Sequence, residues 1–173
     1  MIELIPMGNI DEAILKALRQ SLAETFAQRT QIGDSIGLPE ESWNQHRGQY
    51  LASLLLAKLP PLSHSGDRVL GVVDVDIFAP GLNFVFGEAD ITGKRALISL
   101  KRLRQEFYGL PQDENLFRER ALKEAVHELG HTYGLGHCPE PTCVMHFSNS
   151  LRDTDFKEWN FCTNCHGEIK RKR

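Results

Sequence analysis

The residues best suited to chemistry form one short run, His127-Glu128-Leu129-Gly130-His131. An α-helix turns once every 3.6 residues, so imidazoles four positions apart point the same way and can converge on one metal ion. Glu128, offset by about 100° from His127, can set its carboxylate beside the ion's open position without ligating it. On zinc that arrangement is hydrolytic: a bound water has its pKa lowered toward about 7, and the carboxylate takes its proton as the water attacks a carbonyl. Five residues alone fit solvated helix histidines and a surface glutamate as well. Here the run continues as H-E-x-x-H-x-x-G-x-x-H through Gly134 and His137. A helix carried on to position 137 would turn the third histidine away from the first two. Gly134 can take positive φ and double the chain back, so that the third ligand arrives from outside the helix. The expectation is a catalytic zinc on His127, His131 and His137 with Glu128 as general base.

A second set of donors follows at once. Cys138, Cys143, Cys162 and Cys165 all lie within the last 36 residues, and no cysteine precedes them. Two chelating pairs separated by a loop, C-x4-C-x18-C-x2-C, fit a closed tetrathiolate zinc site. An isolated C-x-x-C would fit redox chemistry, and four clustered cysteines do not need that reading. His166 stands close enough in sequence to replace one thiolate, and His146 lies nearby, so the ligand set has these two alternatives. The chain beyond Gly134, about 39 residues, is too short to sustain its own core. Closing the loop from Cys143 to Cys162 with metal would secure it. Two zinc ions per chain are therefore expected, one catalytic and one structural.

Taken together, these motifs resemble those of the metzincin zinc peptidases, and within that group the archaemetzincins. The third histidine is joined directly to Cys138, and the chain continues through Cys143-Val144-Met145 and Phe147-Ser148-Asn149-Ser150 to Cys162-x-x-Cys165. The likeness is dense over 116–165, extends to Asn83-Phe84-Val85-Phe86-Gly87, and is thin before residue 68. It implies an α+β (α/β-like) fold of metzincin type: a twisted mixed sheet with packed helices, an active-site helix, and a small zinc-stapled C-terminal subdomain. It implies a zinc at the floor of a cleft, Met145 in a tight turn beneath it, and an edge strand over 83–87 that pairs with an extended peptide substrate. An unpaired strand edge does offer main-chain donors and acceptors to a peptide. Phe84 and Phe86 equally fit core packing, and methionine fills irregular gaps under either reading. No tyrosine follows closely after Met145, where some metzincin relatives carry a further metal-associated one; this suggests three histidines and water.

The elements that must position these groups are legible in outline. Residues 1–6 read as a strand closed by Pro6. Ile14, Leu15, Leu18, Leu22 and Phe26 define an amphipathic helix over about 10–28, with Asp11 in its first turn. Residues 29–45 are polar and glycine-containing, mostly loop with room for a short strand. A second helix is expected over 46–59, ended by Pro60-Pro61. The β-branched run 69–77 reads as a strand covered on both faces, followed by short strands at 83–87 and 95–99. Residues 104–112 read as loop and Asp113 as an N-cap. From there Phe117, Ala121, Leu122, Ala125, Val126 and Leu129 stripe a helix that lasts until Gly130 to Gly134. Strands interleaved with helices imply a layered sheet. The domain reading is one unit, 1–173, with an upper subdomain over 1–136 and a small C-terminal subdomain over 137–173.

The chain's bulk properties set limits on partners. Twenty Lys plus Arg stand against 23 Asp plus Glu, a net charge of -3, which leaves little field to gather a polyanion. Nucleic acid is not expected, although Lys170-Arg171-Lys172-Arg173 after a zinc knuckle keeps a binding module as a minor alternative. A zinc-containing peptide-binding or structural protein without turnover is another. The start carries Glu3 and lacks a basic segment before a long apolar run, and the longest apolar stretch, Leu51 to Ala57, is far shorter than the ~20 residues of a membrane span. The expectation is a cytoplasmic protease, a monomer acting on extended peptides or small proteins.

Overall fold

A computed structural model of the chain describes residues 1–172; Arg173, the last residue of the basic run, lies outside them. In chain order the elements are β1 (Ile2–Met7), α1 (Glu12–Phe26), β2 (Thr30–Ile32), β3 (Trp43–Asn44), β4 (Gln49–Leu51), α2 (Ala52–Lys58), β5 (Arg68–Val73), β6 (Ile77–Phe78), β7 (Gly87–Asp90), β8 (Arg95–Ser99), α3 (Glu114–Thr132), α4 (Leu151–Phe156) and α5 (Thr163–Lys172). Five strands form the main sheet in the order β2-β1-β5-β8-β7; β7 runs antiparallel to β8 and the other neighbours are parallel. A smaller sheet, β3-β4-β6, lies beside it.

Alternation along the central strands divides the interior into two apolar bodies. Leu4, Leu70, Val72, Ala96 and Ile98 face α1 and α3 and pack on Leu18, Phe26, Ala125 and Leu129. Ile5, Val69, Val73 and Leu97 point the other way, against Leu55, Leu56 and Leu59 of α2 and its end. The first body also takes in Leu135, Cys143, Val144, Met145, Cys165 and Ile169, so the C-terminal segment shares the core of α3.

Three expectations are corrected. The helix over 46–59 is confined to 52–58, because Gly48, at φ +64°, turns the chain and Gln49–Leu51 pairs as β4 between β3 and β6. The strand over 69–77 is two strands, β5 and β6, interrupted at 74–76, where Asp74 and Asp76 turn to Arg104 and Arg102. The strand over 83–87 is not formed: residues 83–86 are irregular and the edge strand begins at Gly87. Side-chain donors explain this. Arg47 binds the carbonyls of Leu82 and Asn83 at 2.9 and 2.8 Å, and Gln49 binds that of Asn83 at 3.0 Å. These bonds satisfy main-chain groups that a ladder would otherwise use. The Val85 N–H is also spent, on Ile77 O at 3.1 Å, and does not face a peptide.

Candidate active site

Helix α3 begins where Asp113 accepts a hydrogen bond from the Leu116 N–H at 3.0 Å, and it runs 19 residues to Thr132. Its last turn is closed by N–H groups of Tyr133 and Leu135 on Gly130 O and of Gly134 on His131 O, with Gly134 at φ +76°. That left-handed residue sends the chain back along the helix. The result is a cluster of His127, His131 and His137 in which one ring nitrogen from each lies within 4.8 Å of the others.

Hydrogen bonding fixes the tautomers. A carbonyl can only accept, so His127 Nδ1 donates to Val144 O and His131 Nδ1 donates to Leu135 O, each at 2.8 Å. The Nε2 atoms of His127 and His131 then face each other at 3.1 Å. Burial is the main reason that His127 is held well below the ordinary imidazole pKa, followed by the nearby Lys157 ammonium and His131. Burial lowers His131 and His137 as well. Two neutral imidazoles thus present lone pairs to one another, which is unfavourable alone and is the donor set of a metal site. Glu128 is 7% exposed. Burial foremost, then the Glu124 and Glu88 carboxylates, push its pKa well above the usual range, while Lys157 opposes them.

The four thiols form a second cluster, also with ligand atoms within 4.8 Å of one another. Burial pushes the Cys143 and Cys165 thiols up, while the Cys165 N–H foremost pulls Cys162 down. His146 is not in the cluster; its Nδ1 donates to Cys138 O at 2.9 Å. His166 is exposed on α5.

Residues 82–87 line a cavity of about 250 Å³ together with Glu124, His127 and Glu128 of α3 and with Phe147, Ser148 and Asn149. Asn83, Phe84, Val85, Phe86 and Gly87 are therefore beside the histidine cluster, though four of them are loop. Phe86 is buried and Phe84 packs edge-on against it, ring centroids 5.2 Å apart. Ser99 N donates to Phe86 O, which sets the alternation along β7: Glu88 and Asp90 bond toward β8, and the main-chain groups of Gly87 and Ala89 lie on the open edge. Gly87 has a second role. A Cβ there would meet Glu128 Cγ at 2.6 Å, so the glycine makes space for that carboxylate. Met145 is wholly buried beneath α3, its sulfur against Gly130. Tyr133 belongs to the core, stacked on Phe26.

Two residues beside the site were not singled out from the sequence. Glu124 and Lys157, 3% and 1% exposed, form an ion pair at 3.1 Å. Glu124 was findable, because it precedes Glu128 by four on the same helix face; nothing local marks Lys157.

The family model described as Peptidase family M54 matches residues 12–171. The archaemetzincin of Methanocaldococcus jannaschii is 50% identical over 160 residues, covering 92% of this chain and 87% of its own, and that of Pyrococcus furiosus is 46% identical, covering 95% and 90%. Among solved structures, the archaemetzincin of Methanopyrus kandleri superposes with a TM-score of 0.86 at 40% identity, over 99% of this chain and 94% of that one. The archaemetzincin of Archaeoglobus fulgidus gives 0.85 at 38% identity, over 97% and 99%. With a twisted mixed sheet, a histidine cluster and a thiol cluster in place, the chain belongs to peptidase family M54, the archaemetzincins, and is a zinc metallopeptidase.

Proposed function

We propose that the chain cleaves an extended peptide laid along the open edge of β7, with catalytic zinc on His127, His131 and His137 and with Glu128 as general base. The observation that carries this reading is the facing pair of Nε2 atoms, 3.1 Å apart, whose Nδ1–H groups are committed to carbonyls. Zinc bound there supplies Lewis acidity toward the scissile carbonyl and lowers the pKa of the attacking water. Glu128 accepts the water's proton and returns it to the leaving amine; burial, which raises its pKa, favours the protonated form it takes between the two transfers. Gly87 and Ala89 orient the peptide through main-chain hydrogen bonds.

A second, structural zinc on Cys138, Cys143, Cys162 and Cys165 brings the count to two per chain. Gly134 and Met145 are structural: one turns the ligand loop and the other supports α3 from below. Residues 83–87 contribute as the wall of the substrate cavity. The shared core favours one domain over 1–173, with 1–136 and 137–173 as its two parts. Four free thiols suited to metal favour a reducing compartment, and we read the protein as a cytoplasmic monomer. Among the described residues no helix is long and apolar enough to cross a membrane.

Glu128→Gln tests the assignment. Digestion of an unbiased peptide library, read by mass spectrometry, should show cleavage by the parent and none by the variant, with the metal content of both equal. Cleavage by a Glu128→Gln preparation free of contaminating protease would refute the base assignment.

A further inference from the structure

Resting on the peptidase reading, we infer that the cavity beside Glu128 selects substrates with a lysine or arginine side chain next to the scissile bond. Phe84, Phe86 and Phe147 give this cavity, of about 250 Å³, apolar walls suited to a methylene stem. Its polar groups are of one kind. Glu124 lies on the wall, almost fully buried. Its Oε1 accepts from Thr154 Oγ1 at 3.0 Å and is ion-paired with Lys157 Nζ at 3.1 Å. Ser148 Oγ, of a residue in the same lining, is buried without a partner. The Glu124 carboxylate and Ser148 Oγ can both accept from an ammonium or guanidinium.

The charge balance points the same way. Among the described residues no lysine or arginine lines the cavity, whereas Glu124 and Glu128 do. The neighbouring cations are engaged elsewhere. Lys157 is shared between Glu124 and His146 O. Arg102, against the Phe84 ring, is held by both carboxylate oxygens of Asp76 at 2.6 and 2.7 Å. Arg47 is bound to Leu82 O and Asn83 O. A neutral aliphatic side chain would leave Ser148 Oγ unpaired, and an acidic one would meet the Glu124 carboxylate as like charge.

The test uses zinc-loaded protein and three peptide hydroxamates that differ only in the side chain beside the chelating group: lysine, norleucine and glutamate. Calorimetry should find lysine bound about tenfold tighter than norleucine, with glutamate weakest. In Glu124→Gln/Lys157→Met, which removes both charges so that neither is stranded, the lysine advantage should vanish while the protein still melts cooperatively. Ser148→Ala gives an independent reading, with roughly a threefold loss of that advantage. Equal binding of lysine and norleucine by the parent overturns the selectivity and leaves the peptidase reading standing. Failure of all three to bind overturns both. A lysine advantage unchanged in Ser148→Ala and in the folded double variant overturns the assignment to this cavity.

Discussion

Gly87→Ala isolates the contact between the edge strand and the Glu128 side chain. The backbone at Gly87 does not have positive φ, so alanine meets no conformational strain and the whole effect is steric. Its Cβ would lie 2.6 Å from Glu128 Cγ, 2.9 Å from Glu128 Cδ and 2.6 Å from the Leu97 carbonyl oxygen. Leu97 is held in the sheet by β5 on one side and β7 on the other, so it cannot retreat alone. Opening the Glu128 contact from 2.6 Å to the 3.4 Å where ordinary contact begins needs a shift of about 0.8 Å. A misplacement near 1 Å costs about a hundredfold in rate, so kcat/KM should fall roughly ten- to a hundredfold, mostly in kcat. Overpacking should also cost about 1–3 kcal/mol, a Tm lower by roughly 3–10 °C. Peptide turnover and thermal melting on one preparation measure both. Zinc content should not change, because no histidine is touched. Gly37→Ala, where a Cβ meets nothing within 4 Å, is the control and should match the parent. A Gly87→Ala enzyme with parental kcat/KM would refute the claim that this glycine sets the position of Glu128.

Lys157→Met strands the Glu124 carboxylate in the interior and should cost about 3–5 kcal/mol in urea denaturation, whereas Glu124→Gln/Lys157→Met should recover most of it. Equal stability of the single and double variants would contradict a buried pair. In zinc-free protein, burial holds the folded pKa of His127, His131 and His137 below 6.5, so the unfolded chain binds protons that the folded chain refuses. Stability should therefore fall as pH drops through about 6.5 and continue to fall toward the folded values. Urea midpoints that stay flat across this range would refute it. Cys162→Ser should lower zinc by one equivalent and abolish cooperative melting, since the C-terminal segment has little core apart from the one it shares with α3.

What the sequence made legible was what local spacing decides. Asp113, the stripe from Phe117 to Leu129 and Gly134 locate α3 and its reversal, because capping, helical period and left-handed φ are properties of neighbouring residues. Strand 95–99 was readable for the same reason, whereas the strand read over 1–6 as closed by Pro6 runs from Ile2 to Met7 with Pro6 inside it, opposite Val72. The errors lie where a distant side chain outweighs local preference. Tyr50 and Leu51 fit a helical period, yet they pair with Ile77 and Phe78. Asn83 and Phe84 fit a strand, yet Arg47 and Gln49 capture the local carbonyls from a hairpin more than 30 residues away. Lys157 was invisible because only the packing of α4 against α3 brings it to Glu124.

The two clusters are joined by four consecutive residues, and this explains why the third histidine and first cysteine are adjacent. Cys143 gives its thiol to the second cluster, and Val144 O orients the His127 ring of the first. Met145 lies under Gly130, and its carbonyl accepts from the Cys138 N–H at 2.9 Å. His146 Nδ1 returns a bond to Cys138 O at 2.9 Å. Segment 137–138 is thereby clamped to segment 143–146 by main-chain and imidazole bonds, with Cys162 N–H on Cys143 Sγ at 3.3 Å tying in the start of α5. His137 is exposed, and its ring lies against those of His127, His131 and Phe147, with centroids 5.4, 5.0 and 4.8 Å away. Its position follows from the residue after it, which both the thiol cluster and the Met145 turn hold. Metal at the four thiols would then steady His137 as well as staple the C-terminal segment, and the hydrolytic site would depend on a second ion that never meets the substrate.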